Sequence, residues 1–490
     1  MRDDFGQRLV NPVFLLTCCA FFLINIVGCP STQPPAASMS QSLRGQELEI
    51  ITPRSLSLPA RWEVMRQEWS SQTGASTKLV EYDEKSGFPE LPELSADSGG
   101  RLVLIPFRQL CESDRRLTRL TAVDTRDLFK GLRERALSRE REVIAIPVSA
   151  PVLVVYYRAD LLRAAGLKIP ETWDQYHQLV QALESWAQGL VAVEPLSPDF
   201  RATSFFARAL AYCKHPENYS VWFDIDTARP TLDSPGFVEG LDVSRRVWSK
   251  LPSEVATYSP ADCRRLILTG KAAIGLAFEP STAEATDPQA TSDGLVVQRV
   301  EGIEIGICRL PGSRRVYNRN SKKWDTIPAG TVHAPSLCGF AGLVAGVMLP
   351  SDHPMETAAF QMLESLNSTA LFDEAFATLP KSPCRESQLE QSAAWFGPTL
   401  STEEASQFID AVAQSLRDPD LVYELPVIGA EEFRQATSDA LGPLIEGKAN
   451  AEETAERLQK AFTAIVEKLG TDVVRESHRR GLGMSPAVKK

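Results

Sequence analysis

From Glu47 onward the chain repeats one pattern, a short apolar run followed by an amphipathic helical stretch and then another apolar run. Residues 48–52 (LEIIT) read as a strand, 62–70 as a helix, 77–82 as a second strand and 101–106 (RLVLIP) as a third. Neighbouring strands separated by helices are joined through crossovers, so the pattern predicts an open α/β sheet with ligands at the carboxyl ends of its strands. A chain of 490 residues exceeds one ordinary core, and two large lobes are expected.

The middle of the chain predicts how two lobes are connected. Residues 142–157 (EVIAIPVSAPVLVVYY) are two extended runs hinged at Ser149, Ala150 and Pro151. In the adjoining YYRADLLRAAGLKIPETWDQY (156–176), Asp160 opens a short helix that Gly166 can end in the left-handed conformation. Thr172 and Gln175 then stand in capping-box spacing, and Tyr176, Leu179, Val180, Leu183 and Ala187 share one face of a longer helix. Further on, Ser234 and Pro235 open a helix carrying Phe237, Leu241 and Trp248. Alternation of Ile303, Ile305 and Ile307 predicts a half-buried strand, and the basic loop 313–324 a hairpin tip. Two helices close the globular part, 430–445 and one begun by Asn450 with Glu453 at capping-box spacing. Residues 471–490 turn polar and basic and read as a loose tail.

Composition narrows the function classes. Apolar residues make up 43% of the chain, which excludes disorder, and the formal net charge of -11 comes with no basic stripe, which argues against nucleic acid. Residues 13–27 (VFLLTCCAFFLINIV) follow Arg2 and Arg8 and precede small residues, the form of a signal-peptide core too short to span a bilayer. The catalytic signatures GxSxG, HExxH and GxxxxGK[ST] are missing and the five histidines are dispersed, so neither enzyme activity, cofactor nor metal is expected, although a carboxylate pair assembled from distant segments would leave no trace. Cys111, Cys213, Cys263, Cys308, Cys338 and Cys384 are scattered without a CxxC, and three disulfides or buried free thiols are both open.

Several motifs carry a family resemblance. The stretch IAIPVSAPVLVVYYRADLLRAAGLKIPETWDQYHQLVQAL resembles the hinge-and-helix signature of the family 1 extracellular solute-binding proteins, receptors of ABC importers related to maltodextrin-binding proteins. Tyr156, Tyr157, Asp160, Ala165, Gly166, Pro170, Thr172 and Trp173 match, while Arg158 replaces the common Asn. GKAAIGLAFEP, CRLPGS, SDHPMETAAFQMLESLNS, LPKSPCRES and LIEGKANAEETAERLQKAF resemble later family motifs in the expected order. IVGC (26–29) resembles the bacterial lipoprotein box, in which Cys29 becomes the lipidated first residue; an ordinary signal peptide or uncleaved anchor is the alternative.

The resemblance implies a periplasmic-binding-protein-like type II fold, two α/β lobes joined by hinge strands. It divides the chain into a lipoprotein signal peptide (1–28), a flexible tether (29–46), lobe one (47–150 plus 281–349), lobe two (151–280 plus 350–470) and the basic tail. It implies a monomeric, exported receptor, lipid-anchored to the cell envelope through Cys29, that passes a small solute, a sugar or polyol, to ABC permease subunits by lobe closure. Which membrane carries the lipid stays open. ADSGGRL (96–102) departs from the family's approach to the third strand, and this motivates an alternative, a homologue that has lost transport and serves as envelope scaffold or sensor partner. Aromatic and charged residues at strand ends are the candidate ligand contacts. On lobe one these are Arg54, Phe107, Arg108 and Ser149; on lobe two, Trp222, Phe223, Phe278 and Glu279, with Phe433 or Arg434 added from the helix before EGK (446–448).

Overall fold

The structure is a computed structural model that describes residues 43–56, 58–95, 99–278, 299–339, 341–366, 382–390 and 400–485. The expected signal segment, Cys29, Glu279 and the chain's return at 279–280 lie outside the described residues.

Two sheets organise the fold. The first runs in the order Ser76–Tyr82, Glu47–Pro53, Gly100–Pro106, Leu343–Met348, Ile146–Ser149. Its first three strands are parallel, and Leu343–Met348 lies antiparallel to both of its neighbours, with Val347 opposite Leu102 and Leu343 opposite Ser149. The second sheet has the order Ile305–Arg309, Val154–Arg158, Ala272–Ala277, Val191–Val193. Val154–Arg158 is antiparallel to both neighbours, and Val191–Val193 is parallel to Ala272–Ala277. Central strands such as Gly100–Pro106 and Ala272–Ala277 are buried on both faces, as strands of sheets covered by helices are.

Local chemistry sets the elements around the hinge as expected. Thr172 and Gln175 form the reciprocal capping box, and Gly166 has φ +65°. The helix after the box runs Trp173–Gln181, breaks at Ala182 and resumes as Leu183–Trp186. The opening helix is Ala159–Ala164, one residue earlier than expected, and Asp160 in its first turn pairs with Arg158 at 2.6 Å. Asn450 and Glu453 close a capping box on Ala451–Leu469.

Three expectations are corrected. Residues 281–349 do not all belong to lobe one, because Ile305–Arg309 pairs with Val154–Arg158 in the second sheet. Period-two alternation identifies a half-buried strand but not the partner of its edge. Nor do 350–470 all belong to lobe two, since helix Glu356–Ser365 packs on Gly100–Pro106, Leu343–Met348 and Ala60–Thr73. Trp69 Nε1 donates to the Ala358 carbonyl at 2.8 Å across that contact. Finally, the tail contains a helix, Thr471–Gly481, whose Val474, Ser477 and His478 are buried although its composition is mostly polar. Burial there comes from a few side chains on one face, which a composition reading averages away.

All six described cysteines are free. Burial pushes the thiols of Cys111, Cys213, Cys308, Cys338 and Cys384 up to about 12, so at neutral pH they are protonated packing groups. Among the described residues no helix is long and apolar enough to cross a membrane.

Candidate functional site

The lobes meet where strands of the first sheet end. Pro106 lacks an N–H and closes strand Gly100–Pro106, so the chain turns at Phe107–Gln109, where the Phe107 N–H donates to the Gly342 carbonyl at 2.9 Å. Ser149 ends strand Ile146–Ser149 at the edge of the same sheet, and the Ala150 carbonyl just beyond accepts from Ser382 Oγ at 3.1 Å. The chain re-enters the first sheet through Gly339 and Gly342. At Gly339, φ is +108° and a Cβ would stand 2.5 Å from the Tyr423 ring, so only glycine fits there.

Tyr423 is the hinge-side wall of the junction. Its ring packs edge-on against Phe107 with centroids 4.9 Å apart, and its hydroxyl donates to the Phe107 carbonyl. Its own carbonyl accepts from Trp222 Nε1 at 3.2 Å. Next along the chain, Glu424 is buried, and Thr203 Oγ1 stands 3.3 and 3.2 Å from its two oxygens. Burial pushes this carboxyl up to about 7, against the pull of Arg434, Thr203 and Arg108.

A pair of arginines, one from each lobe, converges on the neighbouring Glu431. Arg108 Nε lies 3.2 Å from Glu431 Oε2, and Arg434 Nη2 lies 3.3 Å from Glu431 Oε1. Arg434 is fixed further by donating to the Asp199 carbonyl at 2.7 Å. The junction therefore sets a carboxyl that titrates near neutrality beside a charged Arg–Glu–Arg bridge and the rings of Phe107 and Tyr423. Arg108 and Glu431 reach solvent there and can donate to and accept from hydroxyl groups, whereas the rings of Phe107 and Tyr423 and the Glu424 carboxyl are buried.

The structure brings Phe107, Arg108 and Arg434 into this cluster, with Trp222 behind it through Tyr423. Phe278 packs on Phe200 at 6.5 Å beyond the end of its strand, and Arg54 is exposed in the turn after Glu47–Pro53. All five aromatic candidates are buried, Phe107 and Phe278 included. Phe223 and Phe433 are fully buried against each other at 5.2 Å and both pack on Phe462. Trp222 sits 4.6 Å from Phe206 at 1% exposure; once its N–H has a carbonyl partner the whole indole can be dry. The residues that sequence reasoning missed are Tyr423, Glu424, Glu431 and Thr203. A signal existed for one of them: a single carboxylate inside the apolar run LVYELPV (421–427) is costly to bury unless it has a purpose.

Comparison with known proteins bears on the fold. Residues 118–318 match the family model described as bacterial extracellular solute-binding protein, a family of binding proteins rather than enzymes. No curated protein sequence matches. Among solved structures, maltose-bound MalE3 of T. maritima shares 15% identity, covering 85% of this chain and 100% of that one at a TM-score of 0.55. The sugar-binding protein MalE of Xanthomonas citri shares 14%, covering 86% and 98% at 0.58. An ABC transporter solute-binding protein of Agrobacterium vitis S4 with bound D-mannitol shares 16%, covering 87% and 99% at 0.54. At these identities the likeness shows the fold, that of the type II, MalE-like, two-lobed binding proteins.

Proposed function

Starting from a central stretch that carries the bacterial extracellular solute-binding pattern, we propose that this chain is an exported receptor that binds a sugar or polyol between its lobes and presents it to an ABC importer. The observation that carries the reading is the meeting of Arg108 from one lobe with Glu431, Arg434 and Glu424 from the other beside the rings of Phe107 and Tyr423. A ligand that replaces the Arg108–Glu431 contact with bonds to both lobes shifts the open–closed equilibrium by its differential affinity for the two states. Structural neighbours with maltose, D-mannitol and ribitol bound support a polyhydroxylated ligand. Anchoring through lipid on Cys29, function as a monomer and delivery to permease subunits complete the proposal.

A second reading, an envelope scaffold or sensor partner that no longer transports, draws on the direct contacts that already join the lobes at Tyr423–Phe107 and Arg108–Glu431. A thermal-shift screen of the protein from Ser31 onward against sugars, polyols, sugar phosphates and small anions separates the two. A ligand at about 100 times its dissociation constant stabilises by roughly 2.7 kcal/mol. A saturable shift that Arg434→Ala abolishes supports the receptor; a folded protein silent across the panel supports the scaffold.

A further inference from the structure

The C-terminal helix Thr471–Gly481 touches both lobes, and the two sets of contacts differ in kind. Toward the lobe of the second sheet the contacts are many and largely buried. His478 Nε2 lies 2.7 Å from Ser220 Oγ and its ring packs on Phe223 at 5.1 Å. Ser477 Oγ accepts the Ile428 N–H at 2.9 Å, and the Tyr219 hydroxyl donates to the Leu482 carbonyl at 2.9 Å. At Gly481 a Cβ would stand 2.2 Å from the Pro426 carbonyl oxygen, so the helix end lies directly on that segment.

Toward the lobe of the first sheet the helix is held by charge. Arg480 reaches Asp114 with Nη2 at 3.0 Å and Nε at 3.1 Å, and the exposed Arg115 pairs with Glu476 at 2.5 Å. Asp114 is buried and has a second cation of its own lobe, Arg139, at 2.8 Å. Arg139 also donates to the carbonyls of Ala136 and Ser138. Departure of Arg480 therefore leaves Asp114 still paired, unlike the usual buried ion pair, where removing one partner strands a charge. Arg480 in turn keeps Glu476 one helical turn away at 3.8 Å. Beneath the helix end lies a cavity of about 40 Å³ bordered by Arg135 of the first lobe and by Tyr219, Trp222, Tyr423, Gly481 and Leu482, so the seam is not close-packed there and has room for water.

We propose that Thr471–Gly481 is a latch: it stays seated on the second lobe, clasps the first through Arg480 on Asp114, and lets the lobes part when that clasp is released. Gly470, with φ +93°, supplies the bend that turns the chain from the preceding helix into the latch. The device is separate from the identity of any solute, and it is read without one.

The test is small-angle scattering and hydrogen exchange on the ligand-free protein, comparing wild type, R480A and R479A. Arg479 is a cation of the same helix whose partner is Asp226 of the second lobe, at 3.5 Å. The latch requires R480A to raise the radius of gyration and to lower amide protection at 107–118 by about tenfold or more, with R479A matching wild type. R480K, which keeps the charge but not the forked contact, gives the same comparison under a milder change and should fall between R480A and wild type. A radius unchanged in R480A and R480K overturns the proposal, and so does equal opening by R479A, which would mean that the helix merely loosens as a whole.

Discussion

Two buried groups, Glu424 and His478, make opposite demands on pH. Burial raises Glu424 from its ordinary 4.5 to about 7, so its contribution to stability is full below pH 4.5 and is lost as pH rises to about 7. Burial lowers His478 from 6.5 to about 4, so its contribution is full above pH 6.5 and is lost as pH falls to about 4. Between about pH 4.5 and 6.5 the two slopes oppose each other. Glu424→Gln should remove the first, on the order of 3 kcal/mol at pH 8, and leave a stability that climbs from pH 4 to 6.5; denaturant titrations at four pH values read this directly. A second prediction concerns Arg208, fully buried, paired with Glu194 at 2.5 Å and stacked 4.3 Å over Trp173. Arg208→Ala strands Glu194 and should cost about 3 to 5 kcal/mol by urea unfolding. At this scale the sequence was only partly legible. Arg108 is visible as a charge at a strand end and Arg434 as a charge in a helix, whereas nothing local separates Phe223 from Phe107. One joins a core of rings and the other faces Tyr423 because of partners more than 200 positions away.

Elements were far more legible, because caps and periodicity are local. Asn450 with Glu453, and Thr172 with Gln175, are reciprocal boxes that can be read from four letters. What four letters do not show is that one such box has a second task. Ser401 and Glu404 cap helix Thr402–Leu416, but Glu404 also accepts the Ile305 N–H at 2.9 Å and Arg299 at 2.6 Å, tying the helix to the edge strand of the second sheet. Asn450→Ala should therefore cost about 1 kcal/mol, as a cap alone does, while Glu404→Ala should cost clearly more and expose the Ile305 amide to hydrogen exchange. The same edge strand carries Gly306, where a Cβ would meet the Tyr157 ring at 2.1 Å. Gly306→Ala should destabilise by about 1 to 3 kcal/mol, and a smaller residue at 157 should recover part of the loss.

For the whole molecule, the order of motifs made two lobes and their hinge at Ser149–Pro151 readable, while lobe membership was not, since pairing across the sheets is set by non-local register. One contiguous set of buried apolar residues runs from Ile51 through Tyr423 to Val474 and joins both sheets. Wild type should accordingly unfold in a single transition that coincides by fluorescence and far-ultraviolet circular dichroism, although two-lobed chains often separate into two.

Strand Leu343–Met348 has a consequence for biosynthesis. Among the described residues it alone joins Gly100–Pro106 to Ile146–Ser149 in the first sheet, and it is made long after both. As the chain leaves the ribosome, the first lobe waits with an unfilled slot, Arg101–Pro106 open along one edge, while the second sheet can already form. The part synthesised first is thus finished late, and the nascent chain depends through that interval on whatever in the cell shields bare strand edges.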